Sequence, residues 1–139
     1  MRKLQFQLKD CKYKVDLRLK TDMTGIYGES GSGKTYLYNI IKTHESLDRT
    51  GKILCIDDKN KYDAIRKLNV AEESIIVIDQ ANHVLGIEEI RKLIAKDCLR
   101  GNYYILIGRQ LPIQIRLSEM AQMHIKDDVI SISYDFGEA

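Results

Sequence analysis

Eight consecutive residues, Gly28-Glu29-Ser30-Gly31-Ser32-Gly33-Lys34-Thr35, have the types and spacing that hold a polyphosphate. They satisfy G-x-x-x-x-G-K-[ST] at every fixed position. Glycines let the backbone curl so that successive N–H groups face phosphate oxygens, and a following helix aims the positive end of its dipole at the same point. Lys34 would reach the β and γ phosphates, and the Thr35 hydroxyl would coordinate Mg²⁺. Tyr36 completes the expected nucleotide-binding set. The plainer reading of the same residues is a glycine-rich hairpin turn.

Such a site also needs a carboxylate near the metal, held at the end of a buried strand. Ile75-Ile76-Val77-Ile78 ends in Asp79, and Ile53-Leu54-Cys55-Ile56 ends in Asp57. Asp79 is preferred, because in related folds the strand directly after the loop's helix usually lies at the sheet edge, while the next one returns toward the loop. Asp57 and Asp58 are then a polar strand end or helix cap. The expected metal ligands are Thr35 and Asp79. Where ATPases hydrolyse, a glutamate directly after the aspartate commonly polarises the attacking water, whereas this chain has Gln80. A glutamine can orient water but is a poor proton acceptor, so hydrolysis would be slow, use another residue, or be absent. Gln80 reads equally well as a neutral strand-end residue. Arg109 and Gln110 stand where a γ-phosphate sensor would sit, or form a solvated loop pair. Arg109 or Arg116 could serve as an arginine finger toward a neighbouring copy in a homo-oligomer. The expected catalytic set is therefore Lys34, Asp79, Gln80, Arg109 and Gln110. His44 and His83 read as surface or packing residues.

The elements that must position these groups follow from hydropathy patterning. Leu4, Phe6 and Leu8 alternate with polar residues, as do Tyr13, Val15, Leu17 and Leu19 after a polar break, which predicts a β-hairpin over 1–20. Met23 to Tyr27 predicts a strand leading into the glycines, and Tyr36 to Ile41 a helix. Further strands are expected at Lys52 to Ile56, Ser74 to Asp79 and Tyr103 to Gly108, with helices around Tyr62, Ile65 and Leu68, and around Ile87, Ile90, Leu93, Ile94 and Cys98. A short helix from Leu117 to Met123 and a last strand through Val129, Ile130, Ile132 and Tyr134 complete the expectation. The predicted fold class is α/β: a mainly parallel sheet of about five strands flanked by helices, with an N-terminal antiparallel hairpin. Length predicts one domain over 1–139, its nucleotide-binding core being 21–139.

The longest apolar runs are far shorter than the roughly 20 residues a bilayer-spanning helix needs, and the N-terminus lacks a signal-peptide core, so a cytoplasmic protein with no membrane span is expected. Cys11, Cys55 and Cys98 show no Cys-x-x-Cys spacing, which suggests neither a disulfide framework nor a zinc site. Net charge is only +2, yet residues 1–20 hold Arg2, Lys3, Lys9, Lys12, Lys14, Arg18 and Lys20 against Asp10 and Asp16. That basic hairpin, with Phe6 and Tyr13, could contact nucleic acid or a protein partner, or could be a solvated strand face. Tyr13 is also a candidate stacker for adenine.

Gly28 to Thr35, Asp79 and Arg109-Gln110 together resemble the P-loop NTPase superfamily, in its branch with an extra strand between the loop and the magnesium aspartate. The basic hairpin followed by Gly-Glu-Ser-Gly-Ser-Gly-Lys-Thr resembles the opening of ABC-type ATPases. The later part departs from that family: no Leu-Ser-Gly-Gly-Gln-type signature is present, and the stretch between Lys34 and Asp79 is too short for the helical subdomain. A transporter engine is not expected on those grounds. Ile107 to Pro112 with Ile115-Arg116 is loosely similar to DNA-pumping and phage-assembly ATPases, which implies a ring-forming assembly. The resemblance implies Mg²⁺-dependent nucleotide binding, and with Gln80 in place of a glutamate the first expectation is slow ATP hydrolysis coupled to conformation or assembly. The alternatives are a non-hydrolysing nucleotide-sensing module and a small-molecule kinase. ATP is expected and GTP left open, on the reading that no guanine-selecting Asn-Lys-x-Asp segment is present.

Overall fold

The computed structural model describes residues 3–28, 33–96, 100–111 and 119–135. Strand β1 (Leu4–Lys9) pairs antiparallel with β2 (Lys14–Leu19), bringing Leu4, Phe6 and Leu8 opposite Leu19, Leu17 and Val15. The reversal is held by the Asp10 carboxylate, which accepts the amides of Lys12 and Tyr13 at 2.9 and 2.6 Å. These bonds, Tyr13 first, hold the Asp10 carboxyl below its ordinary range. Next come β3 (Met23–Tyr27), α1 (Lys34–Leu47), β4 (Ile53–Ile56), α2 (Lys61–Val70), β5 (Ile75–Ile78), α3 (Ala81–Val84), α4 (Glu88–Lys96) and β6 (Tyr103–Gly108). A second hairpin, β7 (Met120–Lys126) and β8 (Val129–Tyr134), turns through Asp127 and Asp128, both left-handed at φ 52° and 61°. Two consecutive positive φ values match the right-handed twist of the flanking strands, and Asp tolerates them better than most residues.

Among the described residues the eight strands form one sheet in the order β1-β2-β8-β7-β3-β6-β5-β4. Strands β7, β3, β6, β5 and β4 are successive parallel neighbours, β2 also runs parallel to β8, and both hairpins are antiparallel. This corrects the expectation of about five mainly parallel strands with an appended hairpin. The N-terminal hairpin is hydrogen-bonded through β8 and β7 into the core and extends a single mixed sheet. A second correction concerns 117–123, expected as a helix. Its described residues from Met120 onward lie in β7, where Met120 and Ala121 pair with Gly25 and Ile26, and Ala121 to Met123 pair with Tyr134 to Ile132. Two ladders outweigh the helix propensity of Met-Ala-Gln-Met.

The sheet carries two apolar layers. One gathers Leu17, Leu19, Ile26, Val77, Ile105 and Ile107 beneath Leu37, Tyr38, Ile40 and Ile41 of α1. The other gathers Leu54, Ile56, Ile76, Ile78 and Leu106 beneath Ala64 and Leu68 of α2, Val84 of α3 and Ile90 of α4. Tyr62, expected to share one face of this helix with Ile65 and Leu68, is 71% exposed, because the buried stripe runs through Ala64 and Leu68. None of the helices among the described residues is long and apolar enough to cross a membrane.

Candidate functional site

Four parallel strands end at the same edge of the sheet, and their next residues include those singled out for chemistry: Gly28 after β3, Asp57 after β4, Asp79 after β5 and Arg109 after β6. Strand β4 is at the sheet edge, and β6 separates β3 from β5. In parallel sheets this carboxyl edge is where ligands bind.

Helix α1 begins at Lys34 with Gly33 left-handed at φ 98°. The positive φ favours glycine there, and a Cβ would also lie 2.6 Å from Met123 Cε and 3.1 Å from Ile125 Cδ1, flexible side-chain ends of β7 that would have to shift. Lys34 is buried, and its Nζ donates to the Gly28 carbonyl at 2.5 Å, spanning the loop from its last residues to its first. Glu29, Ser30, Gly31 and Ser32, along with the proposed finger Arg116 and Cys98, lie outside the described residues. Cys11 and Cys55 are free thiols.

A cavity of about 500 Å³ is lined by Gly33, Lys34, Thr35 and Tyr36 from the loop and helix, by Asp79, Gln80, Asn82 and His83 after β5, and by Gly108 at the end of β6 and Arg109 just beyond it. Seven of the residues predicted from sequence thus meet in one place. Gln110 does not: it lines a separate cavity of about 810 Å³ with Met23, Leu106 and Leu111. That cavity is the larger, but the loop lysine, its threonine and Asp79 all face the smaller one, which is therefore the candidate site.

Asp79 is half-buried, and burial pushes its carboxyl above the ordinary range. The Gln80 amide opposes this, the Asp57 charge adds to it, and Lys34 opposes it again. Asp57 behaves differently. Burial would raise it, but the Tyr38 hydroxyl at 2.7 Å, the amides of Asn60 and Lys59, and Lys42 together hold it below the ordinary range. Burial, and then the bond to Asp57, push the Tyr38 hydroxyl up in turn. Asp57 is thus occupied by structural bonds at the start of α2, whereas Asp79 faces the cavity. Asp79 and the Thr35 hydroxyl both line this cavity and are hard oxygen donors of the kind Mg²⁺ takes. Among the described residues no cluster of three or more His, Cys, Asp or Glu residues forms a metal cage.

Three residues were not legible as site components. Asn82 and His83 reach the cavity because Gln80 is left-handed at φ 50°, ψ 50° and starts α3 immediately after the strand. Tyr38 is linked to the site only by holding the Asp57 carboxylate, whose charge acts on Asp79; its position four residues after Lys34, on the inner face of α1, was the available signal. The aromatic pair Tyr13 and Tyr36 meets edge-to-face, with centroids 5.5 Å apart, and Tyr36 lines the cavity. The expectation that no guanine-selecting segment is present is corrected: Asn60-Lys61-Tyr62-Asp63 fits Asn-Lys-x-Asp letter for letter. None of the four lines the cavity. The Asn60 amide is committed to the Cys55 carbonyl and the Asp57 amide, and Lys61 to Asp58.

A lysine and threonine at the mouth of a strand-loop-helix, with an aspartate two strands away and another strand between, define the P-loop nucleotide-binding class. Residues 13–135 match the family model described as ABC transporter, and the chain belongs to that family, whose domain binds ATP. The likeness to ABC-type ATPases therefore runs through the later part of the chain as well as its opening. Comparison with curated proteins and with solved structures gives no match.

Proposed function

We propose that this chain binds Mg·ATP in the cavity bounded by Lys34, Thr35 and Asp79 and hydrolyses it slowly, using the nucleotide state to change its conformation or assembly. The observation that carries this reading is the meeting of those three residues in one cavity, although Asp79 is distant in sequence and comes from another strand. Gly28 to Thr35 would wrap the phosphates, Thr35 and Asp79 would hold the metal, and Arg109 would face the γ-phosphate. Tyr13 and Tyr36 offer an aromatic surface at the mouth for the base. Export of the site's work to a membrane transporter is not part of the proposal, since the chain has no Leu-Ser-Gly-Gly-Gln-type signature. The proposed compartment is the cytoplasm.

A second reading is favoured by Gln80: a nucleotide-sensing module that binds without turnover and contacts nucleic acid or protein through the exposed Lys9, Lys12, Lys14 and Arg18 of the basic hairpin. Multiple-turnover phosphate release separates the two. The enzyme releases phosphate, loses this activity in Lys34→Ala, and turns over faster as Gln80→Glu. A wild-type protein that binds ATP and releases nothing is the module.

A further inference from the structure

Resting on the hydrolytic reading, we propose that His83 takes the proton from the attacking water, a task the amide of Gln80 cannot perform. The chemistry of the site creates the need. A glutamine has no basic atom, whereas a neutral imidazole has one acceptor nitrogen near neutral pH. The geometry supplies the group. His83 lines the same cavity as Lys34, Thr35, Asp79 and Arg109.

Its position is fixed by the backbone around it. Gln80 adopts a left-handed conformation uncommon for a residue with a side chain, and its carbonyl accepts the amides of His83 and Val84 at 2.9 and 3.1 Å. Strain of this kind persists where surrounding structure over-determines it. Here the restraint is visible: Ala81 and Val84 are fully buried in the layer beneath α4, while His83 stays exposed on the opposite side of the turn. A Cβ on Gly108 would sit 3.6 Å from both the Ala81 amide and Asn82 Oδ1, so α3 packs closely on the end of β6. Arg109 and His83 thereby border the same cavity.

The charged groups around His83 come from several elements. Asp58, in the turn before α2, interacts electrostatically with His83 and is bridged to Lys61. Lys34 comes from α1, Asp79 from the end of β5 and Arg109 from the end of β6. Arg91 of α4 is directed to the Leu85 carbonyl.

In the step itself, the water oxygen bonds to the γ-phosphorus, and the bond from that phosphorus to the bridging oxygen breaks, its electron pair leaving on the diphosphate. One water proton passes to the imidazole and is then released to solvent. Because the ring must begin neutral, hydrolysis should fall as pH is lowered, along an acid limb of unit slope.

The test measures steady-state phosphate release against pH, with Mg·ATP binding followed separately by calorimetry. His83→Gln is expected to lose about a hundredfold in rate, in the range typical of a lost proton-transfer group, while binding ATP within about threefold of wild type. It should also lose the acid limb. His83→Ala should behave likewise and regain activity when free imidazole is added, a response that a merely structural role would not give. Wild-type rate and acid limb in either variant, a loss that imidazole does not restore, or wild-type binding without turnover overturns the role of His83. Absence of ATP binding by the wild type would instead overturn the hydrolytic reading beneath it.

Discussion

The two halves of the sheet are buried in different ways, and the difference explains where the site lies. Strands β4, β5 and β6 are covered on both faces, so Tyr103 to Gly108 is buried at every position. In the outer half, β1 and β2 are covered on one face only: Phe6, Val15, Leu17 and Leu19 are buried, whereas Gln5, Gln7 and Arg18 are exposed. A strand enclosed on both sides is held by its packing, so the backbone that carries Asp79 and Arg109 to the cavity is fixed. The outer half presents instead a polar face bearing the exposed Lys9, Lys14 and Arg18.

Alanine substitutions at successive positions measure this contrast. Ile105→Ala and Leu106→Ala, on opposite faces of β6, should each cost about 2–5 kcal/mol in urea unfolding. In β2, Leu17→Ala should fall in the same range, while Arg18→Ala should stay within about 0.5 kcal/mol. Equal losses at Leu17 and Arg18 would break the comparison.

A smaller effect tests the link behind the cavity. Tyr38→Phe removes the hydroxyl that donates to Asp57 and should cost about 1.5 kcal/mol at neutral pH. The Asp57 carboxyl is held below its ordinary value, so its stabilising contribution is complete above the unfolded value and is lost as pH falls through the lower folded one. Tyr38→Phe should therefore show a shallower loss of stability in acid, measured by unfolding at a series of pH values.

What the sequence made legible follows the same division. Strands covered on both faces appear as continuous apolar runs, such as Ile75-Ile76-Val77-Ile78, and those covered on one face as alternation, such as Leu4, Phe6 and Leu8; both were readable. The phosphate loop was readable because its glycines and lysine have fixed spacing. Sheet membership of the first hairpin was not, since it depends on β8 meeting β2 through only two register pairs, Lys14 with Val129 and Val15 with Ile130. Strand β7 was hidden by residues with good helix propensity whose partners come from elsewhere in the chain. His83 was hidden because its place depends on the backbone angle of Gln80, whereas Asn60 to Asp63 is legible letter for letter and only the bonds of Asn60 and Lys61 set it apart from the cavity.

The account rests on a triphosphate being held by Lys34 and its loop, and calorimetric titration of Mg·ATP into the folded protein addresses that directly. One nucleotide should bind per chain, with the heat abolished in a Lys34→Ala protein whose circular dichroism matches wild type. No heat with the wild type, or undiminished heat with Lys34→Ala, would contradict it.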